Sequence, residues 1–571
     1  MLHRSHLEVH AVAMSKRRLP IFLPLAACVL AGLLLGAFLF KHLSYPLLWD
    51  QEAVTAAYGA RILEHGYPKV HGPKNAVYAS ELPPELGIDP SLDAFLGAPW
   101  GPYYIAALAD AFARGAEDPW ARTWRVRLPF ALLGAAGLGV LLAFVLPLVA
   151  GDRSRRCWAA AAFLGLSGVS ISLLLHLREV GSLAPTLFLL SVALLLLVRR
   201  YIHRDLSDAS YGLGFGLTLF LLFGCDYAVS AGVAATALLL ALWRGLRGSG
   251  DGTRLRCFAG DFAPLLLVGV VVAPLAGFFG LPAVVAASLE SDGAELPGYG
   301  ARLLDITLHL LRYEWLVPVL AARLALSLLR ALSEGVPADG RLTKRLAAGD
   351  LLSLFVLVQW LGIACFPAFF ERNAVPLGPV LSALLLLDSA SLLEIQRARR
   401  GAMRGLGIAG LVGVALAIVV GLGLRVPEIS GRFHEVRHRY RGPLDHVFAY
   451  VIEKYEDPQG LVVATLVEGS VFVYYFDPHV LVDSHRLTVD RDFLLQPQII
   501  VPRPGGSSQT LGLLAVRASY DQEDLPVENL PRNNVPSLSS RDAGGIVHRF
   551  ESADLSEGEG GGGLPLLELP R

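Results

Sequence analysis

The sequence predicts an all-α polytopic membrane domain of about eleven transmembrane helices, with its N-terminus inside and a small extracytoplasmic α/β domain at its C-terminus. Two observations predict this class. Of the 571 residues, 54% are hydrophobic and 17% are charged, and the mean hydropathy is +0.51, whereas a soluble domain carries about 25% charged residues. The apolar residues also gather into runs of about 20 residues, the length that crosses a bilayer as a helix. A soluble globular protein is therefore excluded.

Bulk charge and cysteine content exclude further classes. The formal net charge is −1, so a nucleic-acid binder built on net positive charge is excluded. The five cysteines form no CxxC pair, and none lies in the long polar segments. Neither a cysteine-bound metal cluster nor a disulfide framework is therefore predicted.

The first apolar run, Leu19–Phe40, follows the basic segment 16–18. It is longer than the core of a typical signal peptide, and no small-x-small cleavage site follows it. We therefore expect a retained anchor helix whose N-terminus lies inside. The sequence leaves open whether translation begins at Met1 or at Met14.

Ten further apolar segments follow the anchor, and their loops alternate in charge. The loops expected inside carry clusters of Arg and Lys, whereas the short loops expected outside carry few, as the positive-inside rule requires. Eleven spans would place the C-terminus outside. The ten segments are 128–149, 158–175, 183–198, 210–224, 227–243, 261–285, 314–331, 350–367, 374–392 and 405–424.

The first large outer segment, 41–127, joins the first two spans. Its amphipathic stretches Glu52–His65 and Tyr103–Ala113 are expected to be helices lying along the membrane surface. Together with the spans it forms a predicted membrane domain, 1–425.

The second large outer segment follows the last span. It combines a helix-like stretch, Leu444–Tyr455, with the short apolar runs 461–465, 471–476, 480–482 and 499–501. This alternation predicts a small α/β domain over 426–550. The remaining residues, 551–571, are rich in Glu and Gly and are predicted to be a disordered tail.

Most ionisable residues near the membrane lie where the spans meet the outer surface. A transporter would place charges near mid-depth, and a channel would repeat pore-lining rings. The observed distribution favours an enzyme working at the interface, although Arg323, nearer mid-span, has no explanation in the sequence. The outer-end charges are Asp50, Glu52, Arg178, Glu179, Asp226, Arg312, Glu314, Glu371 and Arg372.

Four separate motifs share one resemblance. The segment 49–68 reads WDQEAVTAAYGARILEHGYP, 98–104 reads APWGPYY, 125–129 reads RVRLP, and 371–373 reads ERN and precedes two prolines. In this order and on this side of the membrane, they resemble the polytopic glycosyltransferases of the C superfamily, which use polyprenyl-phosphate sugars. That superfamily includes the lipid A aminoarabinose transferases and the protein O-mannosyltransferases.

The resemblance implies transfer of a sugar from a polyprenyl-phosphate donor to a lipid, glycan or protein acceptor on the extracytoplasmic face, with inversion of the anomeric centre. Such a transfer needs a base for the acceptor hydroxyl and cations for the departing phosphate. Because Gln51 separates the two acids, either can hold the catalytic place. The preferred assignment makes Asp50 the general base and lets Glu52 position the acceptor or a metal. The resemblance further assigns Arg372 and Arg178 to the donor phosphate, and Tyr103, Tyr104 and Glu371 to substrate binding.

Two alternatives stay open, and departures from the superfamily pattern favour the first of them. Gln51 stands where Asp is usual, and Ala98 stands where Lys often precedes the proline. A non-catalytic family member in envelope assembly is one alternative, and a lipid or sugar transporter is the other. No nucleotide-binding loop is visible, and no clear metal-ligand set exists, so use of a divalent metal stays open. The expected setting is a multi-pass protein of the bacterial inner membrane that binds membrane lipids and no nucleic acid.

Overall fold

The computed structural model describes seventeen stretches of the chain, and all structural statements below concern them. They are residues 22–48, 50–78, 84–116, 118–170, 173, 176–247, 251–283, 298–332, 340–365, 374–398, 402–426, 429–430, 443–465, 469–482, 496–501, 521–526 and 563–568.

Helices dominate this part of the chain, and short strands occupy its C-terminal third and one early loop. The helices are α1 (Phe22–Phe40), α2 (Asp50–His65), α3 (Pro84–Gly87), α4 (Gly101–Ala113), α5 (Pro119–Val149), α6 (Arg153–Gly168), α7 (Leu183–Val198), α8 (Asp208–Phe223), α9 (Tyr227–Arg247), α10 (Asp251–Phe278), α11 (Tyr299–Tyr313), α12 (Leu316–Leu332), α13 (Gly340–Ile363), α14 (Leu377–Ala398), α15 (Ala402–Leu424), α16 (Pro443–Lys454) and α17 (Gly469–Tyr475). The strands are β1 (Ile88–Asp89), β2 (Ala94–Phe95), β3 (Val462–Thr465), β4 (His479–Val482), β5 (Ile499–Val501), β6 (Asp521–Pro526) and β7 (Gly563–Glu568).

Eight of the described helices are long and apolar enough to cross a bilayer. They are α1, α5, α7, α9, α10, α13, α14 and α15, and they make this a multi-pass integral membrane protein. The other three predicted spans coincide with the shorter helices α6, α8 and α12, of 16, 16 and 17 residues. Each predicted span thus contains a helix.

Among the described helices longer than ten residues, α11 was not predicted. Its apolar residues fall on one face, and Ile306 and Leu310 are buried. Tyr299 donates to the carbonyl of Leu361, and Arg302 donates to that of Ala364. The helix therefore lies across the C-terminal end of α13, where a cation also interacts favourably with the helix dipole.

The C-terminal strands form a mixed five-stranded sheet in the order β4-β3-β5-β7-β6. β3 pairs in parallel with β4 and β5, whereas β7 pairs antiparallel with β5 and β6. Parallel neighbours need a crossover connection, and α17 lies in the connection from β3 to β4. The helix α16 coincides with the predicted helix Leu444–Tyr455.

Within 551–571, for which composition predicts disorder, residues 563–568 are a strand, so that prediction is wrong for these six residues. Their sequence GLPLLE is largely apolar and lacks the glycine run of the preceding segment.

The first large loop and the C-terminal region share one hydrophobic core, named here the outer unit (described residues of 41–116 and 443–501). Ala53, Tyr58 and Phe95 of the loop are buried in the same cluster as Phe448 and Phe472. Polar contacts join the same parts: the Leu48 amide donates to the Tyr475 hydroxyl at 3.0 Å. The two segments predicted as separate outer pieces therefore pack together.

The two predicted surface helices differ in their exposure. α2 is covered by α4 and α17, and its residues 53–58 are buried. α4 instead keeps Tyr104, Leu108 and Phe112 exposed. These residues recur at every fourth position, so they form one apolar stripe suited to a membrane interface.

The charge that the sequence left unexplained, Arg323, lies in an ion-pair network between helices. Its Nε is 2.7 Å from Asp388 on α14, and its Nη1 is 2.7 Å from Asp350 on α13. Arg330, two turns further along α12, lies 3.3 Å from Asp350. The network neutralises charges that would be costly alone inside a membrane domain.

Candidate active site

Glu52, in the first turn of α2, is held by a buried arginine. Both of its carboxylate oxygens accept hydrogen bonds from Arg127 of α5, at 2.8 Å and 2.5 Å. Its Oε1 also accepts from the Val180 amide at 3.0 Å. The Glu52 side chain is only 5% exposed and that of Arg127 is 0% exposed. Three donors thus hold this carboxylate in place. This arrangement suits a positioning residue better than it suits a general base.

Arg127 uses all five of its N–H groups. Besides Glu52, it donates to the carbonyls of Leu43, Pro46 and Leu47 at 3.0, 2.6 and 3.4 Å. Arg is the side chain able to satisfy so many acceptors from one planar group. It therefore fixes the chain leaving α1 and the start of α2 against α5.

Asp50 is the first residue of α2. Its side chain lies outside the atoms that the structure describes. Its backbone, however, follows the segment that Arg127 anchors and precedes Glu52 by less than one helical turn.

A polar cavity of about 200 Å³ opens beside this anchored helix start. Two of the four sequence motifs line it, with Glu52 from the first and Pro99 and Tyr103 from the second, and Arg127 of the third motif binds the lining residue Glu52. The lining residues are Gln51, Glu52, Thr55, Ala98, Pro99, Pro102, Tyr103, His176, Glu179, Val180, Gly181, Ser182 and Leu183.

The segment between α6 and α7 brings a second carboxylate to this cavity. His176 Nδ1 lies 2.6 Å from Glu179 Oε2, and the two side chains are 6% and 21% exposed. Gly134 of α5 permits this placement, because a Cβ there would lie 2.9 Å from the carbonyl oxygen of Leu177. The sequence shows Glu179 as one of the outer-end charges, but neither it nor His176 belongs to any of the four motifs, so neither was assigned to the site.

A second histidine, His309 of α11, lies behind His176. It is 3% exposed, and neither ring nitrogen has a hydrogen-bond partner among the described residues. Burial lowers the pKa of its imidazole, and the nearby His176 and Arg425 lower that pKa further. His309 is therefore neutral at physiological pH.

The two predicted tyrosines have different surroundings. Tyr103 is buried, its ring packs against Tyr58 at 5.1 Å, and it lines the cavity. Burial raises the pKa of its phenol, so its hydroxyl stays protonated. Tyr104 is 43% exposed and donates to the Gly66 carbonyl at 2.8 Å, so it holds the end of α2 and does not line the cavity.

Of the two predicted phosphate ligands, the structure describes only Arg178. Arg178 is buried and donates to the carbonyls of Phe38 and Lys41, at 3.4 and 3.1 Å. It thus satisfies carbonyl groups at the end of α1. Glu371 and Arg372 lie outside the described residues.

A larger, apolar cavity lies between α8, α9 and α10. Its volume is about 730 Å³, and its wall includes Phe223, Tyr227 and Leu281. Residues 99–102 lie close to both cavities, and Pro99 and Pro102 line the polar one. On the other side, the Gly101 amide donates to the Gly224 carbonyl at 2.7 Å. Gly224 directly follows Phe223 of the apolar wall, so both cavities have residues next to this one short segment.

A metal site is not formed by the described side chains, among which no group of three or more His, Cys, Asp or Glu residues could hold an ion.

Comparisons with known proteins give matches in structure alone. No family model matches the chain, and no curated protein matches its sequence. The chain is similar to ArnT from Cupriavidus metallidurans bound to undecaprenyl phosphate, with 14% identity, coverage of 87% of this chain and 95% of that one, and a TM-score of 0.48. It is also similar to the oligosaccharyltransferase AglB from Archaeoglobus fulgidus in complex with an inhibitory peptide and a dolichol-phosphate, with 12% identity, coverage of 81% and 64%, and a TM-score of 0.42.

At these identities and TM-scores the likeness assigns no residue of this chain a role. The function proposed below rests on this chain's own side chains.

Proposed function

We propose that the protein is a glycosyltransferase that moves a sugar from a polyprenyl-phosphate donor to a lipid, glycan or protein acceptor. The observation that carries the proposal is the convergence of motifs distant in sequence on one cavity. Glu52 and Arg127 are 75 residues apart, and Glu52 and Val180 are 128 apart, yet they meet in its wall. Convergence of separate polar motifs on one concave site is typical of an active site.

The two adjoining cavities support an amphiphilic donor. A polyprenyl-phosphate sugar has a polar head and a long apolar chain. The polar cavity offers carboxylates and backbone groups, whereas the wall of the apolar cavity is almost entirely hydrocarbon. Residues 99–102 would lie beside the point where the polar head of the donor joins its polyprenyl chain.

Asp50 is proposed as the general base and Glu52 as the residue that fixes its helix. The acceptor hydroxyl loses its proton to Asp50 as its oxygen attacks the anomeric carbon. The bond from that carbon to the phosphate oxygen breaks, and its electron pair remains on the phosphate. One displacement of this kind inverts the anomeric centre. Arg372 remains the proposed cation for the departing phosphate, whereas the carbonyl contacts of Arg178 fit an indirect role.

The shared core of the outer unit supports an even number of membrane crossings in the part of the chain between α4 and α16. Segments in contact must lie on the same side of the membrane. Among the described residues between them, seven helices are long and apolar enough to cross a bilayer (α5, α7, α9, α10, α13, α14 and α15), and an odd number of crossings would separate the two segments. Counting α6, α8 and α12 as crossings gives ten, so with α1 the total is eleven. With Arg-rich loops inside, this count supports the proposal that the C-terminus lies outside the membrane, and the membrane itself is proposed to be the bacterial inner membrane.

The proposal is tested with purified protein in nanodiscs and radiolabelled undecaprenyl-phosphate sugars. A glycolipid extract, a glycan fraction and an acceptor peptide are supplied in separate reactions. We expect label to leave the donor in at least one reaction. Binding of the labelled lipid without turnover in any reaction would instead favour a non-catalytic protein, and label crossing a sealed vesicle membrane would favour a transporter.

A further inference from the structure

We propose that the hydroxyl group of Tyr227 binds the phosphate of the polyprenyl-phosphate donor, on the side of the apolar cavity that is toward the polar one. This inference rests on the proposed function and names a residue that contacts the donor phosphate. Tyr227 is the first residue of α9, and it belongs to the wall of the apolar cavity.

The hydroxyl of Tyr227 is buried and has no hydrogen-bond partner among the described residues. The other polar side chain of the same wall, Ser230, donates to the carbonyl of Leu219 at 3.3 Å. Hydroxyls in other spans are satisfied too, since Ser191 and Thr236 each donate to the carbonyl four residues earlier. A buried hydroxyl without a partner costs free energy, so we expect a ligand to supply its acceptor.

Aromatic rings connect Tyr227 to the segment 99–102. The ring centroid of Tyr227 lies 5.8 Å from that of Phe279, which in turn lies 5.5 Å from that of Trp100. The phenol of Tyr227 is also close enough to that of Tyr103, in the wall of the polar cavity, for the two to interact electrostatically. Tyr227 therefore lies on the side of the apolar cavity that is toward the polar one.

This position selects one part of the donor as the partner of the hydroxyl. The polyprenyl chain carries no hydrogen-bond acceptor, and the sugar fits the polar groups of the other cavity. The phosphate joins the two and carries charged oxygens, to which a hydroxyl donates a short and strong hydrogen bond. Tyr227 gives up no proton in this contact, so it binds the phosphate before and after the sugar has left.

The carboxylate next to Tyr227 in the sequence serves its own helix. Asp226 Oδ1 accepts from the amide of Val229 at 2.9 Å, and the N-terminal dipole of α9 offsets the charge of Asp226. This carboxylate accepts no hydrogen bond from the Tyr227 hydroxyl. It therefore leaves that hydroxyl to another acceptor.

The Tyr227 ring has to turn before its hydroxyl meets a phosphate, because surrounding atoms cover the hydroxyl oxygen. This turn breaks no hydrogen bond to a described residue. The ring itself packs against the rings of Phe223 and Phe279, at 4.8 Å and 5.8 Å between centroids. Only aromatic packing therefore opposes the motion among these contacts.

The test compares two lipids that differ only in the phosphate. Tritiated undecaprenyl phosphate and tritiated undecaprenol are titrated into the purified full-length protein in nanodiscs, and bound label is measured by scintillation proximity. The variant is Tyr227→Phe, which removes the hydroxyl and keeps the ring. Tyr299→Phe is the matched control, because Tyr299 is 42% exposed, donates to the carbonyl of Leu361 and lines neither cavity.

We expect Tyr227→Phe to weaken binding of undecaprenyl phosphate about 10- to 100-fold, as for a lost hydrogen bond to a charged group. Binding of undecaprenol should stay as in wild type, and Tyr299→Phe should change neither. The thermal midpoint of Tyr227→Phe should not fall, because its hydroxyl has no partner in the protein to lose. Equal loss for both lipids, loss for neither, or a lowered midpoint would overturn the assignment.

A competition separates the polyprenyl donor from other lipid phosphates. Phosphatidic acid at the same concentration should not displace undecaprenyl phosphate from the wild type, because its chains and headgroup differ from those of the donor. Displacement would show that the hydroxyl serves any lipid phosphate, and it would overturn the assignment to the donor.

The failure of the assignment can be told from the failure of the proposed function. A wild type that transfers sugar while Tyr227→Phe binds undecaprenyl phosphate normally removes Tyr227 from phosphate binding and keeps the transferase. A wild type that binds undecaprenol as tightly as undecaprenyl phosphate removes the phosphate contact itself. A wild type that binds neither lipid overturns both proposals.

Discussion

Arg127 and Glu52 form a two-point ion pair that is almost completely removed from solvent, with Nη2 of Arg127 2.5 Å from Oε2 of Glu52. The pair joins the first turn of α2 to α5, the helix that leads from the outer unit into the membrane. The same guanidinium closes the end of α1 through three backbone carbonyls. Three segments of the chain thus depend on one side chain.

Glu52→Gln is expected to destabilise the protein by about 3–5 kcal/mol, because it leaves the Arg127 charge buried without its partner. The measurement is the thermal midpoint in detergent, read alongside transferase activity. Arg127→Met combined with Glu52→Leu should recover part of the loss, since no charge then stays buried. A Glu52→Gln variant as stable as wild type would show that the pair does not hold the site.

Asp50→Asn is expected to lower the rate of transfer about 10²- to 10⁴-fold, the usual contribution of a general base. Its thermal midpoint should change little, because Asn begins a helix about as well as Asp. Donor binding should persist. Single-turnover rates with a pre-bound labelled donor measure the effect. An Asp50→Asn variant that transfers sugar at the wild-type rate would move the base elsewhere.

His309 is expected to make the protein sensitive to acid. Its pKa is lowered in the folded state, mainly by burial, so below about pH 6.5 the unfolded chain binds a proton that the folded chain does not. His309 therefore makes its full contribution to the free energy of unfolding above about pH 6.5. Below that pH, the free energy of unfolding falls by about 1.4 kcal/mol per pH unit because of this residue.

Thermal midpoints at pH 5 and pH 7.5 test this expectation in wild type and in His309→Phe, which keeps a ring beside Tyr313. The substitution should shrink the difference between the two midpoints. The same substitution at His65, whose side chain is 32% exposed, should leave it as large as in wild type. An unchanged difference in His309→Phe would assign the acid sensitivity to other groups.

Gly59→Ala is expected to destabilise the outer unit by about 1–3 kcal/mol through overpacking. A Cβ at this position of α2 would lie 2.8 Å from the backbone nitrogen of Ala107 in α4, so the two helices would have to separate. Gly139→Ala in α5, where a Cβ would meet nothing within 4 Å, is the matched control and should not destabilise. Equal thermal midpoints for the two variants would mean that α4 moves away from the added methyl group without a loss of stability.

Asp388→Leu alone is expected to destabilise the membrane domain, because Arg323 then keeps only Asp350 as a partner. Adding Arg323→Met should restore part of the loss, and the coupling between the two sites should be about 0.5–3 kcal/mol. Thermal midpoints of the single and double variants measure this coupling. Simple additivity of the two substitutions would show that the pair is not energetically linked.

The sequence predicts those features that depend on neighbouring residues. Apolar runs mark a helix in every predicted span, and local amphipathicity marks α2 and α4, because helix periodicity is a local property. The role of Glu52 needed Arg127, 75 residues away, and no local pattern encodes that pairing. Arg323 was unexplained for the same reason, since Asp350 and Asp388 belong to other helices. Glu179 resembled an ordinary surface charge in the sequence, and only the structure places it beside Glu52 of α2 in the wall of the polar cavity.

The shared core of the outer unit also has a consequence for biogenesis. Leu48 and Tyr475, which are bonded to each other, are 427 residues apart. At a synthesis rate of about 5–20 residues per second, the first outer loop waits roughly 20–90 s for the segment that completes its core. During that interval the apolar faces of α2 and α4 are uncovered outside the ribosome, so we expect this loop to be the part of the nascent chain most in need of a chaperone or of contact with lipid. Truncation before α16 should accordingly make the loop sensitive to protease while the membrane helices remain inserted.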